Sequence, residues 1–114
     1  MIILASTSDK VQLITGGTET VDIHTSYMDY NGTTVTPGRK NSNVSSAVTT
    51  DIVAAPGSSI QRNVKTINVR NKDAAPAAII IQHVDGANTV ELFSTSLLAN
   101  SELQYTDALG WLQL

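Results

Sequence analysis

Along most of this chain apolar and polar residues alternate one for one, in short runs that turn signals interrupt every eight to twelve residues. Val11 to Thr15 predicts a strand, and Gly16-Gly17-Thr18-Glu19 predicts the turn after it. From Thr20 to Tyr30 the alternation is clean, with Val21, Ile23, Thr25 and Tyr27 on one face and Asp22, His24, Ser26 and Met28 on the other. A period of two means a strand with one face buried. Asn31-Gly32 predicts a type I′ hairpin, because both residue types tolerate positive φ. Thr33 to Thr36 is the expected return strand, ended by Pro37-Gly38.

Further on, Asn43 to Ala54 is a β-branched run closed by a turn at Pro56-Gly57-Ser58-Ser59, and Ile60 to Asn71 alternates again. Ala78 to Val84 is the most apolar stretch, with three consecutive isoleucines. It predicts a central strand buried on both faces. Asp85-Gly86-Ala87-Asn88 closes a hairpin onto Thr89 to Leu98, and shorter runs follow at Leu103 to Thr106 and Trp111 to Leu114. Nowhere do apolar residues hold a helical spacing for three turns. The expected fold is all-β, an antiparallel β-sandwich, jelly-roll-like, with about eight strands. Ile80, Val84, Leu92 and Trp111 are expected in its core.

The length of 114 residues suits one domain spanning 1–114. An N-terminal docking arm over about residues 1–6 is expected, because Met1 to Ala5 is too apolar to float free. Its removal is expected to leave the isolated fold intact. Charged residues are only 15% of the chain, and Thr, Ser and Asn take their place, so the surface hydrogen-bonds without carrying much charge. A net charge of −3, with Arg39-Lys40 the longest basic feature, argues against nucleic acid as a partner. The absence of cysteine excludes disulfides and thiolate metal sites. The apolar start stops at Ser6, too short for a secretory core, and no apolar run approaches membrane-spanning length, so no membrane partner is expected.

Two pairs bring an imidazole and a carboxylate onto one strand face, Asp22 with His24 and His83 with Asp85. Each could supply two metal ligands, or a base and its orienting partner. Neither has a further ligand at a useful spacing, and solvated polar residues are the simpler account. The remaining aspartates sit at turns and strand ends, where local hydrogen bonds favour them, and a loop calcium site is the alternative there. No serine stands in a G-x-S-x-G elbow, and Gly16-Gly17-Thr18 lacks the lysine of a phosphate loop. Asn31-Gly32-Thr33 and Asn43-Val44-Ser45 match glycosylation sequons, as chance provides in so Asn- and Thr-rich a chain. No catalytic, cofactor-binding or metal residue is therefore assigned, no cofactor is expected, and no enzyme is expected.

Three blocks carry a resemblance. They run from Val21-Asp22-Ile23-His24-Thr25-Ser26-Tyr27 through Asn31-Gly32-Thr33-Thr34-Val35-Thr36-Pro37-Gly38-Arg39, then from Ala54-Ala55-Pro56-Gly57-Ser58-Ser59-Ile60 to Asn68-Val69-Arg70-Asn71-Lys72, and finally from Leu97-Leu98-Ala99-Asn100-Ser101-Glu102-Leu103-Gln104-Tyr105 to Gly110-Trp111. In this order they resemble a family of small tailed-phage and prophage virion proteins. One departure is Asn100-Ser101, which stands where that family's pattern has a lone Gly before the Glu.

The resemblance implies a virion-associated structural role. Capsid decoration or stabilisation is the leading expectation, and a tail, baseplate or neck accessory protein is the alternative. A carbohydrate- or receptor-binding module is the rival from another class, with exposed aromatic rings as its discriminator. The expected location is the virion, assembled in the bacterial host cytoplasm. The expected partners are further copies of the chain, a trimer favoured, and other virion proteins such as the major capsid or tail proteins. Strand edges with little Lys to block pairing point the same way, since a neighbour must cover them.

Overall fold

A computed structural model describes residues 1–114 and contains no helix. Ten strands form two antiparallel sheets packed face to face. They are β1 (Ile2–Leu4), β2 (Asp9–Thr15), β3 (Val21–Tyr30), β4 (Val35–Val44), β5 (Thr49–Val53), β6 (Gln61–Asn71), β7 (Ala77–Asp85), β8 (Thr89–Leu97), β9 (Glu102–Thr106) and β10 (Gly110–Gln113). The first sheet runs β10-β9-β6-β3-β4, with β1 also on β6, and the second runs β5-β2-β7-β8. The first six strands pair as a nested set, β3 with β4, β2 with β5 and β1 with β6, in the manner of a hairpin rolled up whole. The hairpins β7–β8 and β9–β10 then extend the roll by pairing with β2 and β6.

Alternation works as the sequence pattern requires. Val21, Ile23 and Thr25 of β3 point between the sheets, as do Val11 and Leu13 of β2 and Val64, Ile67 and Val69 of β6. Buried polar groups at the sheet ends are tied to backbone. Asn71 is fully buried, and its amide nitrogen donates to the carbonyls of Ala75, Leu97 and Leu98 at 2.8, 3.0 and 3.2 Å. It thereby fastens the β6–β7 connection to the end of β8. Thr25 donates to Ile52 O at 2.9 Å and so links the sheets along the β4–β5 side. On the other side Trp111 closes the gap, stacked on Phe93 with ring centroids 5.2 Å apart and tilted against Tyr105 at 5.0 Å.

Several expectations are corrected. The β3–β4 loop is not a two-residue type I′ turn. Tyr30 pairs with Val35, which leaves four residues, and only Gly32 among them has positive φ, +100°. Asn31 works through its side chain instead, its Oδ1 accepting the N–H of Thr33 and of Thr34. Pro37-Gly38 does not end the return strand, because β4 runs to Val44. Pro is tolerated on an edge strand, and Gly38 lies opposite Tyr27, whose ring fills the space a Cβ would need. The run from Asn43 to Ala54 is divided between the two sheets by a loop at residues 45–48.

The apolar strand β7 is central but buried on one face only. Ile79 and Ile81 are enclosed between the sheets, whereas Ile80 and Val84 lie on the outer face and are partly covered. Leu92 and Trp111 pack against the core but remain partly exposed, and Leu92 is the extra residue of a β-bulge in edge strand β8. Residues 1–6 do not stand off as an arm. Ile2–Leu4 pair with Arg62–Val64 of β6, and Leu4 is completely buried.

Candidate functional site

The outer face of the first sheet divides into two regions. At one end the cross-strand rows are polar. Asn43, Asp22, Arg70 and Glu102 form one row, and Asn41, His24, Asn68 and Gln104 form the next. At the other end the rows are apolar. Pro37, Met28 and Ile3 lie along a row that includes Asn63, beside a row of Val35, Tyr30 and Gln61.

In the polar region the side chains hold one another. The His24 Nδ1–H donates to Asn41 Oδ1 at 2.6 Å. Asn43 Nδ2 donates to Asp22 Oδ1, and the Lys72 ammonium lies 3.0 Å from Asp22 Oδ2. Lys72, reinforced by Asn43, holds the Asp22 carboxyl below its ordinary value against the opposing effect of burial. Asn68 Nδ2 donates to Glu102 Oε2 at 3.1 Å, and Arg70 Nη1 is 3.8 Å from Glu102 Oε1. A groove lies between these rows, lined by Asp22, His24, Asn41, Asn43, Asn68 and Arg70, and His24 also borders two smaller depressions on its other flanks. Although Asp22 and His24 share a face as the alternation requires, each is engaged with different partners. They form no base-and-orienter pair.

The other sequence candidate separates. His83 points inward beside Asp9, and Asp85 is exposed at the β7–β8 turn, where its Oδ1 accepts the Asn88 N–H. Asp9 itself, 6% exposed, accepts the Ala5 N–H at 2.7 Å and the Ser6 hydroxyl at 3.0 Å. Burial alone would raise its pKa, but those bonds and nearby His83 outweigh it and hold the carboxyl below the ordinary range. No cluster of three His, Cys, Asp or Glu suited to a metal occurs in the chain.

The aromatic rings are mostly committed to the interior. Phe93, Tyr105 and Trp111 form the side stack, and Tyr27 lies under the Arg62 guanidinium, 4.0 Å from the ring centroid. Arg62 is in turn locked on Asp29 by bonds of 2.8 and 3.0 Å. Only Tyr30 shows an open ring, at the apolar end.

That apolar end is uncharged, and Val35 is 53% exposed, Tyr30 43% and Ile3 42%. Alternation put Met28 on the polar face of its strand, but nothing in the sequence pattern indicates that three strands bring Ile3, Met28, Tyr30, Val35 and Pro37 to one end. Asn41, Asn43 and Asn68 were equally missed. Their signal was available, since Asn is disfavoured inside strands, but its meaning depends on the register of β4, β3 and β6. Compared with family models, curated proteins and solved structures, the chain finds no match.

Proposed function

We propose that this chain is a non-enzymatic structural protein of a tailed-phage particle, decorating or stabilising the capsid as a homo-oligomer, with a trimer favoured. The observation that carries the proposal is the apolar end of the first sheet, where Ile3, Met28, Tyr30, Val35 and Pro37 from three strands face solvent together. Contiguous apolar surface of this kind marks an assembly contact on a soluble domain. Asn63 lies within it and Asn31, Thr33, Gln61 and Arg39 edge it, so a partner is chosen mainly by shape and apolar contact, with Arg39 the one charge beside it. In a particle many copies act together, and avidity multiplies each weak contact.

Two details of the blocks that carry the resemblance have local structural roles. At Asn100-Ser101, where this chain departs from the family's lone Gly, Asn100 adopts φ +57°, a conformation Gly supplies most cheaply. Tyr105 and Trp111, from the closing block, are direct cross-strand partners in the side stack.

The test is light scattering of the purified protein together with its recovery in assembled particles, for the native chain and for Val35→Asp. Val35 is exposed, so the variant is expected to melt like the native chain while self-association weakens at least about tenfold and particle recovery falls. A native chain that is monomeric in solution and absent from particles refutes the proposal.

A further inference from the structure

We infer that the polar groove around His24 is a binding site for a neutral, hydroxyl-rich ligand, a glycan segment recognised by in-plane hydrogen bonds without ring stacking. The inference goes beyond the assembly role and uses the opposite end of the sheet.

Five asparagines lie inside strands, Asn41 and Asn43 in β4 and Asn63, Asn68 and Asn71 in β6. Each works against strand propensity. Asn71 is explained by the three carbonyls it satisfies. Asn63 pairs with Gln61 at the rim of the apolar end. The other three converge on one spot, because cross-strand register sets Asn41 and Asn68 on either side of His24, and Asn43 beside Asp22 in the next row. Where local preference is broken repeatedly at one place with no gain in packing, a functional site is the expected cause.

The chemistry of the spot is specific. One bond from each side chain goes to a neighbour, fixing its direction, and the rest of its capacity stays open. His24 keeps Nε2 as an acceptor, Asn41 keeps both amide hydrogens, Asn43 and Asn68 keep their carbonyl oxygens, and Arg70 is held only by one contact at 3.8 Å. A hydroxyl both donates and accepts, so neighbouring hydroxyls on a sugar ring are the groups that satisfy such a mixed, pre-set array. The three strands are each about 4.8 Å apart, so the groups span about 10 Å, the length of two adjoining sugar rings.

Other ligands fit less well. The charges lining the groove are balanced in pairs, Asp22 with Lys72 and Arg70 with Glu102, and the exposed Arg39 one row away is the unpaired cation whose pull the acidic oligosaccharide tests. Asp22 already accepts from Asn43 and Lys72, and no metal-ligating cluster surrounds it. No aromatic ring lines the groove. Each site is therefore weak alone, and a multi-copy protein is where it would act.

The experiment is an NMR titration of the intact protein with maltohexaose, chitohexaose, mannohexaose and, as an acidic comparison, an oligogalacturonate. The side-chain amide signals of Asn41, Asn43 and Asn68 and the His24 ring signals report the site directly. At least one neutral oligosaccharide is expected to shift these signals in a saturable way, with little change on adding salt. The double variant Asn41→Ala/Asn68→Ala is expected to weaken that binding at least about tenfold, as loss of two hydrogen-bonding partners implies. Val35→Asp should leave it unchanged, so that failure here and failure of the assembly proposal are separable. Unmoved amide signals with every neutral sugar overturn the inference. So does binding that survives the double variant, or binding of the oligogalacturonate alone that salt abolishes.

Discussion

Ile79, Ile80 and Ile81 are chemically identical neighbours with unlike surroundings. The strand turns each side chain opposite to the last, so Ile79 and Ile81 enter the space between the sheets and Ile80 faces outward beside Ile14. Truncation of Ile81 to Ala is expected to cost roughly 2–5 kcal/mol, since the cavity it leaves is enclosed on all sides. Ile80→Ala should cost well under half of that, because water already reaches part of its side chain. Urea unfolding of the two variants checks the contrast, and equal losses would mean that the outer face of β7 is covered. Asn71 shows the same dependence on surroundings among polar residues. One amide satisfies carbonyls from two connections, and a buried carbonyl left without a donor costs roughly 1–3 kcal/mol.

At the scale of elements, β1 is the segment whose role changes most between sequence and structure. Three residues would not form a stable strand alone, but β9 reaches only Thr66–Arg70 of β6, and β1 takes the remaining edge at Arg62–Val64. Deleting residues 1–5 removes Leu4 from the core, uncovers that edge and takes from Asp9 the Ala5 N–H that holds it. A stability loss of about 2–5 kcal/mol is expected from Leu4 alone, with aggregation as the uncovered edge seeks a strand. A thermal melt of the truncated chain checks this. An unchanged midpoint would restore the separate docking arm. The long hairpin β3–β4 carries both surfaces discussed above, its tip supplying the apolar end and its base the asparagine groove.

For the molecule as a whole, the ionisable groups set the pH range of stability. Asp9, Asp22 and Asp107 have depressed pKa values in the folded chain. Their contribution is present above the ordinary value of 3.8 and is lost as pH falls below it through the folded values. Asp9 should dominate the loss, because the Asp22 and Asp107 pairs lie open to solvent, where screening leaves them little weight. Tyr105 has the opposite sign, burial raising its phenol above the ordinary 10.0. Above that pH the unfolded chain loses the proton first, and stability falls as pH rises. Urea midpoints measured across the pH scale should therefore decline at both ends, and Asp9→Asn should flatten the acid limb. An acid limb identical in that variant would assign the loss to the other carboxylates.

The sequence by itself determined the all-β class, the positions of most strands and the inward faces of β3 and β6. Those features follow from a period of two and from turn residues, which are local properties of the chain. The stretch around Pro37-Gly38 misled local reasoning, because only the Tyr27 ring lying across Gly38 and the edge position of β4 make it a strand. Ile80 misled it too, since three isoleucines in a row do not reveal which face a second sheet will cover. Tertiary structure alone decided where β1 pairs, which residues gather at the apolar end and which polar groups surround His24. Each of these depends on strand order and register, and register is set by pairings between residues far apart in the chain.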